Sequence, residues 1–200
     1  MHKRYTMSHS VLHDVGVLPK DLDAMSTLAF LRRSGRVRRY HTEELLKPQD
    51  VAQHSYGVAW LCWWLTEGAA SAPLVLHALA HDAAEHGLGD IPSPTKRELG
   101  IRQQVDAAEA HLMALHGIVL PDLSAFENKV LKLADALDGV LHCTHELELG
   151  NQTLYAVFLN FHRYGLELVP HGTAPSTDCV EGRAMLLLKW AAERWSALTK

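Results

Sequence analysis

The sequence is poor in cysteine and lacks a secretory leader pattern. It contains three cysteines among 200 residues, an odd number without the spacing of a metal site, so the disulfide framework of a small secreted protein is not indicated. The N-terminal Met1 to Tyr5 carries positive charge, but no continuous apolar stretch follows it, which argues against a signal peptide. We therefore expect a cytoplasmic protein in a reducing compartment.

Long apolar runs are also absent. The richest apolar segment, from Val58 to Leu65, contains three tryptophans but ends at Thr66, so it is too short to cross a bilayer and predicts a core helix. A hydrophobic content of 48% indicates one globular domain over residues 1–200. The net charge of -4 argues against stable nucleic-acid binding.

Alternating strand patterns are hard to find, whereas helical spacing recurs throughout, and this predicts an all-α fold. The pattern places helices at about 22–34, 50–67, 72–86, 100–116, 122–149 and 177–198. The last of these carries Trp190 and Trp195, which we place on its apolar face. Such tryptophan-bearing helices favour a homo-oligomer.

Four side chains have the composition of a divalent-metal site assembled from three helices. They are His54, the adjacent pair His81-Asp82, and Asp135. Two imidazoles and two carboxylates make a mixed N/O ligand set that suits first-row divalent ions and leaves coordination positions open. A second His-Asp pair, His13-Asp14, lies in a segment without a helical apolar pattern, so we attribute it to chance.

Further acidic and basic residues surround these candidate ligands along the chain. On a continuous helix Glu85 follows His81 by four residues and Asp82 by three, which places it on the same face as a candidate general base. Asp90 follows on a loop as a candidate proton carrier or substrate contact. Arg39, in a basic cluster, and Lys96, in a proline-rich turn, suit a phosphate group.

Several short motifs are similar to those of one family of hydrolases. The motifs are Arg39-Tyr40, Gln53-His54-Ser55, His81-Asp82-Ala83-Ala84-Glu85, Gly89-Asp90-Ile91-Pro92-Ser93-Pro94 with Lys96, and Ala134-Asp135-Ala136-Leu137. In these motifs the sequence resembles the HD-domain metal-dependent phosphohydrolases, and most closely the bacterial 5'-deoxynucleotidases. The resemblance covers about residues 25–165 and implies an HD-type helical bundle with the metal site between helices.

The resemblance also implies roles for individual residues. By it, His54, His81, Asp82 and Asp135 bind the ion, a role open to Co²⁺, Zn²⁺, Mn²⁺ or Mg²⁺. Glu85 and Asp90 are then catalytic, and Arg39, Tyr40, Asp90 and Lys96 contact a deoxynucleotide. The chain departs from the family at Tyr40, where the family has a tryptophan that packs on the sugar and helps to exclude ribose.

Other functions remain open at the level of sequence. Related phage proteins resemble this chain equally in their motifs and hydrolyse dATP to deoxyadenosine and triphosphate, so both bacterial and infected-host cytoplasm fit. A signalling nucleotide is a further substrate candidate. A non-catalytic nucleic-acid-binding HD module would use the basic cluster, whereas a diiron oxygenase would need additional histidines such as His77 and His86. His142, seven residues after Asp135, is placed to border a substrate pocket.

Overall fold

A computed structural model describes the backbone of residues 19–198 and the side chains of residues 24–198. The His13-Asp14 pair lies outside the described residues. The helices, in chain order, are α1 (Pro19–Ser34), α2 (Val51–Leu65), α3 (Ala72–Ala80), α4 (Glu85–Leu88), α5 (Ser93–Glu98), α6 (Arg102–Leu115), α7 (Ala125–Glu148), α8 (Tyr155–Leu168) and α9 (Val180–Leu198). Within these residues there is no β-strand, which confirms the predicted all-α class.

Helix α7 is the centre of the bundle. Helices α2, α3, α8 and α9 all pack against it. Its stripe of Val130, Leu133, Leu137 and Val140 is fully buried, as the helical periodicity of apolar residues predicts. Each such side chain contributes about 1.5–3 kcal/mol by burial. The buried stripe fixes the rotation of α7 about its axis and therefore the direction in which Asp135 points.

Helix α2 begins with a capping box that fixes the position of His54 in its first turns. The Asp50 side chain accepts a hydrogen bond from the backbone N–H of Gln53, and the Gln53 side chain accepts one from the backbone N–H of Asp50. This reciprocal pair satisfies two donors that a helix start otherwise leaves free. His54 is fully buried as a result of the way the capped helix packs on α7.

Helix α3 ends earlier than the sequence pattern predicts. The predicted helix at 72–86 stops at Ala80 and continues as tight turns, in which Ala83 N–H bonds Ala80 O and Glu85 N–H bonds Asp82 O. One cause is the His81 ring, whose Nδ1 lies 2.9 Å from Ala78 O. A side chain that takes this carbonyl competes with the backbone N–H that would continue the helix.

Two helices are missing from the predicted set. The proline-rich turn at 91–97 contains the short helix α5, because prolines fit the first turn of a helix. Helix α8 forms between the predicted helices, where Phe158 and Gly165 provide its buried positions. Its apolar residues recur at helical spacing, so the sequence contains the signal for this helix and the prediction overlooked it.

The tryptophans of α2 face outward, although the helix itself contributes Val58 and Leu65 to the core as predicted. Trp60, Trp63 and Trp64 lie on the outward face of α2, where they are 52%, 49% and 38% exposed. On α9, Trp195 is buried but Trp190 is exposed and its ring lies near the Arg194 guanidinium. Positions 190 and 195 are five residues apart, which places them on different faces of a helix. No helix of the described residues has the length and apolar content to span a bilayer.

A buried carboxylate ties the segment before α2 to the end of α7. Glu146 accepts hydrogen bonds from the backbone N–H groups of Leu46 and Lys47 at 2.8 and 2.6 Å, and from Asn151 Nδ2 at 2.7 Å. Burial alone would raise the pKa of Glu146, but these three donors hold it below its ordinary value. The segment anchored in this way is the one that carries Arg39 and Tyr40.

Replacing Glu146 with glutamine is expected to destabilise the fold by about 2–3 kcal/mol. The three N–H donors lose a charged acceptor, and the amide nitrogen of glutamine is itself a donor that cannot accept from them. The midpoint of urea unfolding at pH 7 measures this loss. The folded pKa of Glu146 lies below the unfolded value of about 4.3. The stabilisation is therefore present above that pH, and the difference from the variant should shrink as the pH falls below about 4.

The control is Glu148→Gln on the same helix. Glu148 is exposed and its Oε1 lies 3.4 Å from Arg194 Nε, so its loss should change stability by less than about 0.5 kcal/mol. Equal losses for the two variants would contradict the anchoring role of Glu146.

Candidate metal centre

Three helices bring two imidazoles and a carboxylate to one point. His54 comes from α2, His81 follows the last residue of α3, and Asp135 lies in the middle of α7. His54 Nε2 is 3.2 Å from His81 Nε2 and 3.3 Å from Asp135 Oδ1. One ligand atom from each residue lies within 4.8 Å of the others. This compactness is what a single ion requires.

Asp82 completes the predicted quartet. Its Oδ2 lies 3.4 Å from His54 Nε2 and 3.4 Å from His81 Nε2. The tight turn after Ala80 carries this carboxylate, so the early end of α3 contributes to the geometry of the cluster. The structure therefore brings together all four residues that the sequence indicated as ligands.

Both imidazoles are oriented through their other nitrogen. His54 Nδ1 lies 2.7 Å from Asp138 Oδ2, and His81 Nδ1 lies 2.9 Å from the carbonyl oxygen of Ala78. A carbonyl only accepts, so His81 Nδ1 donates the proton and its Nε2 keeps a lone pair. Ligand histidines in metalloproteins are typically held in this way.

The donor set fits a divalent ion. Burial by itself would lower the pKa of His54, but hydrogen bonds to Asp135 and Asp138 raise it to about 9. The surroundings thus favour positive charge at a point where ring nitrogens and carboxylate oxygens converge. Two nitrogen and two oxygen donors suit first-row divalent ions, and four ligands leave room for water or substrate.

Glu85 and Asp90 lie beside this cluster. Glu85 begins α4 and is buried, and its Oε2 has no hydrogen-bond partner. Burial, together with the carboxylates of Asp82 and Asp90, raises the pKa of Glu85 to about 8. Glu85 therefore reaches the site across a turn rather than along the continuous helix that the sequence predicted. Asp90 Oδ2 lies 3.8 Å from His41 Nδ1.

The basic cluster around Arg39 contains five arginines between positions 32 and 39. Among their described side chains, Arg39 alone points into the protein. Arg32, Arg33, Arg36 and Arg38 are exposed, whereas the Arg39 side chain is 11% exposed. Its Nη1 donates to Gln49 Oε1 at 3.0 Å and lies 3.7 Å from Asp138 Oδ2. Burial would lower its pKa, but neighbouring groups, including Asp135 and Asp82, raise it above the ordinary value.

Tyr40 has a strained backbone and an unsatisfied hydroxyl. Its φ angle is 54°, in the left-handed region that a bulky residue seldom adopts. The ring stacks on His142 with centroids 4.8 Å apart, and the Arg39 Cζ lies 5.2 Å from the ring centroid. The Tyr40 hydroxyl and His142 Nε2 are both buried without a hydrogen-bond partner. Strain and unpaired polar atoms of this kind are typical of binding sites.

Lys96 lies on α5 and is engaged by the neighbouring helix. Its Nζ is 3.1 Å from Glu109 Oε1 on α6. Its charge also lowers the pKa of Glu85, against the larger effect of burial. Lys96 therefore lies within electrostatic reach of the acidic side of the site while forming an ion pair of its own.

Sequence reasoning missed two polar residues behind the cluster, Asp138 and Gln49. Gln49 Nε2 donates to Asp138 Oδ2 at 3.0 Å. A signal for Asp138 was available, because it follows Asp135 by three residues and so shares its helix face. In the structure Asp138 lies against Gly57, where an added Cβ would be 2.1 Å from Asp138 Oδ1.

Other histidines that could suggest a metal site have different partners. His77 Nε2 lies 2.7 Å from the Pro121 carbonyl oxygen, and the His86 ring contacts Phe30 at 5.5 Å. His145 is exposed. Among the described residues, the cluster of His54, His81 and Asp135 is the single group of three or more with metal-site spacing. The additional ligands of a diiron oxygenase are thus not gathered here.

The chain is similar in sequence to bacterial 5'-deoxynucleotidases. The chain is 28% identical over 151 residues to the 5'-deoxynucleotidase PM0747 of Pasteurella multocida, covering 64% of this chain and 77% of that protein. It is 27% identical over 146 residues to the 5'-deoxynucleotidase YfbR of Salmonella paratyphi B, covering 62% and 73%.

The fold is similar to that of the cyanophage S-2L HD phosphohydrolase DatZ, solved with dA and one catalytic Zn²⁺. The TM-score is 0.58 at 18% identity, over 83% of this chain and 96% of that one. The model of the HD domain family matches residues 30–136, more than half of the chain. The chain therefore belongs to the HD domain family.

Proposed function

We propose that this protein is a metal-dependent phosphohydrolase that cleaves the phosphate ester of deoxyribonucleoside 5'-monophosphates. The convergence of His54, His81, Asp82 and Asp135 beside the inward Arg39 is the observation that carries the proposal. A cation site next to a buried guanidinium provides two positive centres for one phosphate group. The similarity to two 5'-deoxynucleotidases supports the monophosphate as substrate.

The residues divide the reaction between them. His54, His81, Asp82 and Asp135 would hold a divalent ion, which would supply Lewis acidity towards phosphate oxygens and would lower the pKa of water. The Arg39 guanidinium binds phosphate oxygens as developing charge accumulates on them.

Two carboxylates move the protons. Glu85, whose pKa of about 8 suits proton transfer near neutrality, accepts a proton as water attacks phosphorus. Asp90, which interacts with Glu85, carries this proton to the 5'-oxygen as its bond to phosphorus breaks, and the deoxynucleoside and orthophosphate are released.

The Tyr40–His142 pair forms the wall that contacts the sugar. The stacked rings and the strained Tyr40 backbone hold a flat surface next to Arg39. A rigid wall restricts the space available to a 2'-hydroxyl, which favours deoxyribose. Lys96 assists from the acidic side of the site by balancing charge near Glu85 and the substrate.

The direct test is product analysis of Co²⁺-loaded protein with dAMP and dATP. Orthophosphate from dAMP is expected, and Glu85→Gln should lower kcat by 10²–10⁴-fold, the order of magnitude of general-base assistance. Glu98→Gln serves as the control, because Glu98 is exposed on the neighbouring helix; its kcat should remain within about twofold of the wild type.

Other products would point elsewhere. Triphosphate and deoxyadenosine from dATP would replace the monophosphatase by the triphosphohydrolase alternative, whose phage representative shares the fold. Absence of turnover with Co²⁺, Mn²⁺, Zn²⁺ and Mg²⁺ would contradict the proposal. Salt-dependent DNA or RNA binding that is indifferent to metal would instead indicate the nucleic-acid-binding module.

A divalent ion is expected to raise the melting temperature. At a hundredfold excess over Kd, binding to the folded state contributes about 2.7 kcal/mol, which corresponds to a Tm increase of about 5–10 °C for a chain of this size. Thermal unfolding with and without Co²⁺ measures the shift. His54→Gln and Asp135→Asn should abolish it, because each removes a ligand.

The matched control is His77→Gln. His77 bonds the Pro121 carbonyl rather than the cluster, so the Co²⁺ shift should persist in this variant. A shift that survives in His54→Gln, or that disappears in His77→Gln, would contradict the ligand assignment.

We further propose that the outward face of α2 pairs with a second copy of this chain. Tyr56, Trp60, Trp63 and Trp64 are exposed there, and the rings of Tyr56, Trp60 and Trp63 contact one another edge to face. With each ring about half exposed, the four offer on the order of 400 Å² of apolar surface. A stable dimer buries about 800 Å² per partner, and somewhat more than half of this area is apolar. The four rings provide most of that apolar area.

Light scattering after size exclusion tests this pairing. The wild type should be at least dimeric, and the double variant Trp60→Glu/Trp63→Glu should be monomeric. Trp190→Glu is the control, because Trp190 is similarly exposed but lies on α9. A monomeric wild type, or equal dissociation in the control, would overturn the α2 interface.

A further inference from the structure

A chain of hydrogen bonds connects the inward arginine to a predicted metal ligand. Arg39 Nη1 donates to Gln49 Oε1 at 3.0 Å, and Gln49 Nε2 donates to Asp138 Oδ2 at 3.0 Å. The same Asp138 oxygen lies 2.7 Å from His54 Nδ1. Gln49, Asp138 and His54 are all buried. Water therefore does not replace the links of this chain.

The direction of every link follows from the first residue. A guanidinium has donors only, so the Gln49 amide must present its oxygen to Arg39 and its N–H to Asp138. An ionised carboxylate has acceptors only, so His54 Nδ1 carries the proton in their shared hydrogen bond. In the neutral imidazole the Nε2 of His54 then keeps its lone pair, and this nitrogen faces His81 and Asp135.

The backbone is arranged to maintain the chain. Arg39 N–H bonds Gln49 O at 3.1 Å, and Arg38 pairs with Asp50 in an antiparallel bridge, so Gln49 is held beside Arg39. On the other side, Gly57 leaves space for Asp138, because a Cβ there would lie 2.1 Å from Asp138 Oδ1. The contact therefore depends on the absence of a side chain at position 57.

We propose that Asp138 and Gln49 are positioning residues that connect cation binding at His54 with anion binding at Arg39. Asp138 holds His54 in the tautomer that presents Nε2 and increases the basicity of this nitrogen. Gln49 holds the guanidinium at the edge of the ion site. The inference deepens the proposed function and relies on it for the roles of the ion and the phosphate.

The two residues should act on different binding constants. Loss of the Asp138 charge acts first on the ion, because the carboxylate bonds a ligand histidine directly. Loss of the Gln49 amide acts first on the anion, because it frees Arg39 while Asp138 remains bonded to His54. A purely structural role would instead lower stability and change both affinities together.

The test uses the variants Asp138→Asn and Gln49→Met. Competition with a chromogenic chelator measures the Co²⁺ affinity, and calorimetry on Co²⁺-saturated protein measures the affinity for inorganic phosphate. Asp138→Asn should weaken Co²⁺ binding by about 10–100-fold. Gln49→Met should leave the Co²⁺ Kd within about threefold but weaken inorganic phosphate by about tenfold, the effect of one charge-assisted hydrogen bond.

Gln104→Met is the matched control for Gln49→Met. Gln104 is exposed on α6, away from the cluster, so this variant should leave both affinities within about threefold. The proposal is overturned if Asp138→Asn retains wild-type Co²⁺ affinity, or if Gln49→Met retains wild-type phosphate affinity. Neither the Co²⁺ Kd nor the phosphate Kd depends on dAMP turnover. The test therefore remains valid even if the proposed activity is absent.

Discussion

The convergence of two imidazole nitrogens and two carboxylates in the helical bundle is the constraint on which the rest of the structure depends. The distances from His54 Nε2 to His81 Nε2, Asp135 and Asp82 are 3.2, 3.3 and 3.4 Å. Lone pairs and negative charges at such distances repel one another unless a positive charge lies between them. The raised pKa of His54 reflects the same requirement, because a proton on the ring supplies the positive charge that the neighbouring carboxylates favour.

The scaffold is organised to maintain this unfavourable arrangement. The buried stripe of α7 directs Asp135, the capping box of α2 sets the position of His54, and the tight turn after Ala80 directs Asp82. Burial next to these charges also explains Glu85, whose carboxyl group resists ionisation because Asp82 and Asp90 are nearby. The electrostatics that favour a cation thus also raise the pKa of Glu85 towards the range that its proposed role in proton transfer requires.

The sequence predicted which four side chains converge, because each lies in a short motif on or beside an apolar helical run. His54, the pair His81-Asp82 and Asp135 meet in the structure as that pattern indicated. Gln49 and Asp138 were missed because their partnership spans 89 residues of sequence. The spacing of residues within one helix does not indicate a contact between residues so far apart in the sequence.

The differences in secondary structure also have local causes. The His81 side chain takes a backbone carbonyl at the end of α3, and a hydropathy pattern does not contain such competition. The tryptophans of α2 face outward, although large apolar residues are usually buried. Their exposure points to contacts outside one chain, which patterning within a single chain does not encode.

Anomalous diffraction at the cobalt absorption edge, from crystals grown with Co²⁺, tests the central claim most directly. The account predicts one strong peak about 2.0–2.2 Å from the Nε2 atoms of His54 and His81 and from carboxylate oxygens of Asp82 and Asp135. An empty cluster at saturating Co²⁺, or a peak bound instead by other histidines such as His142 and His145, would contradict it.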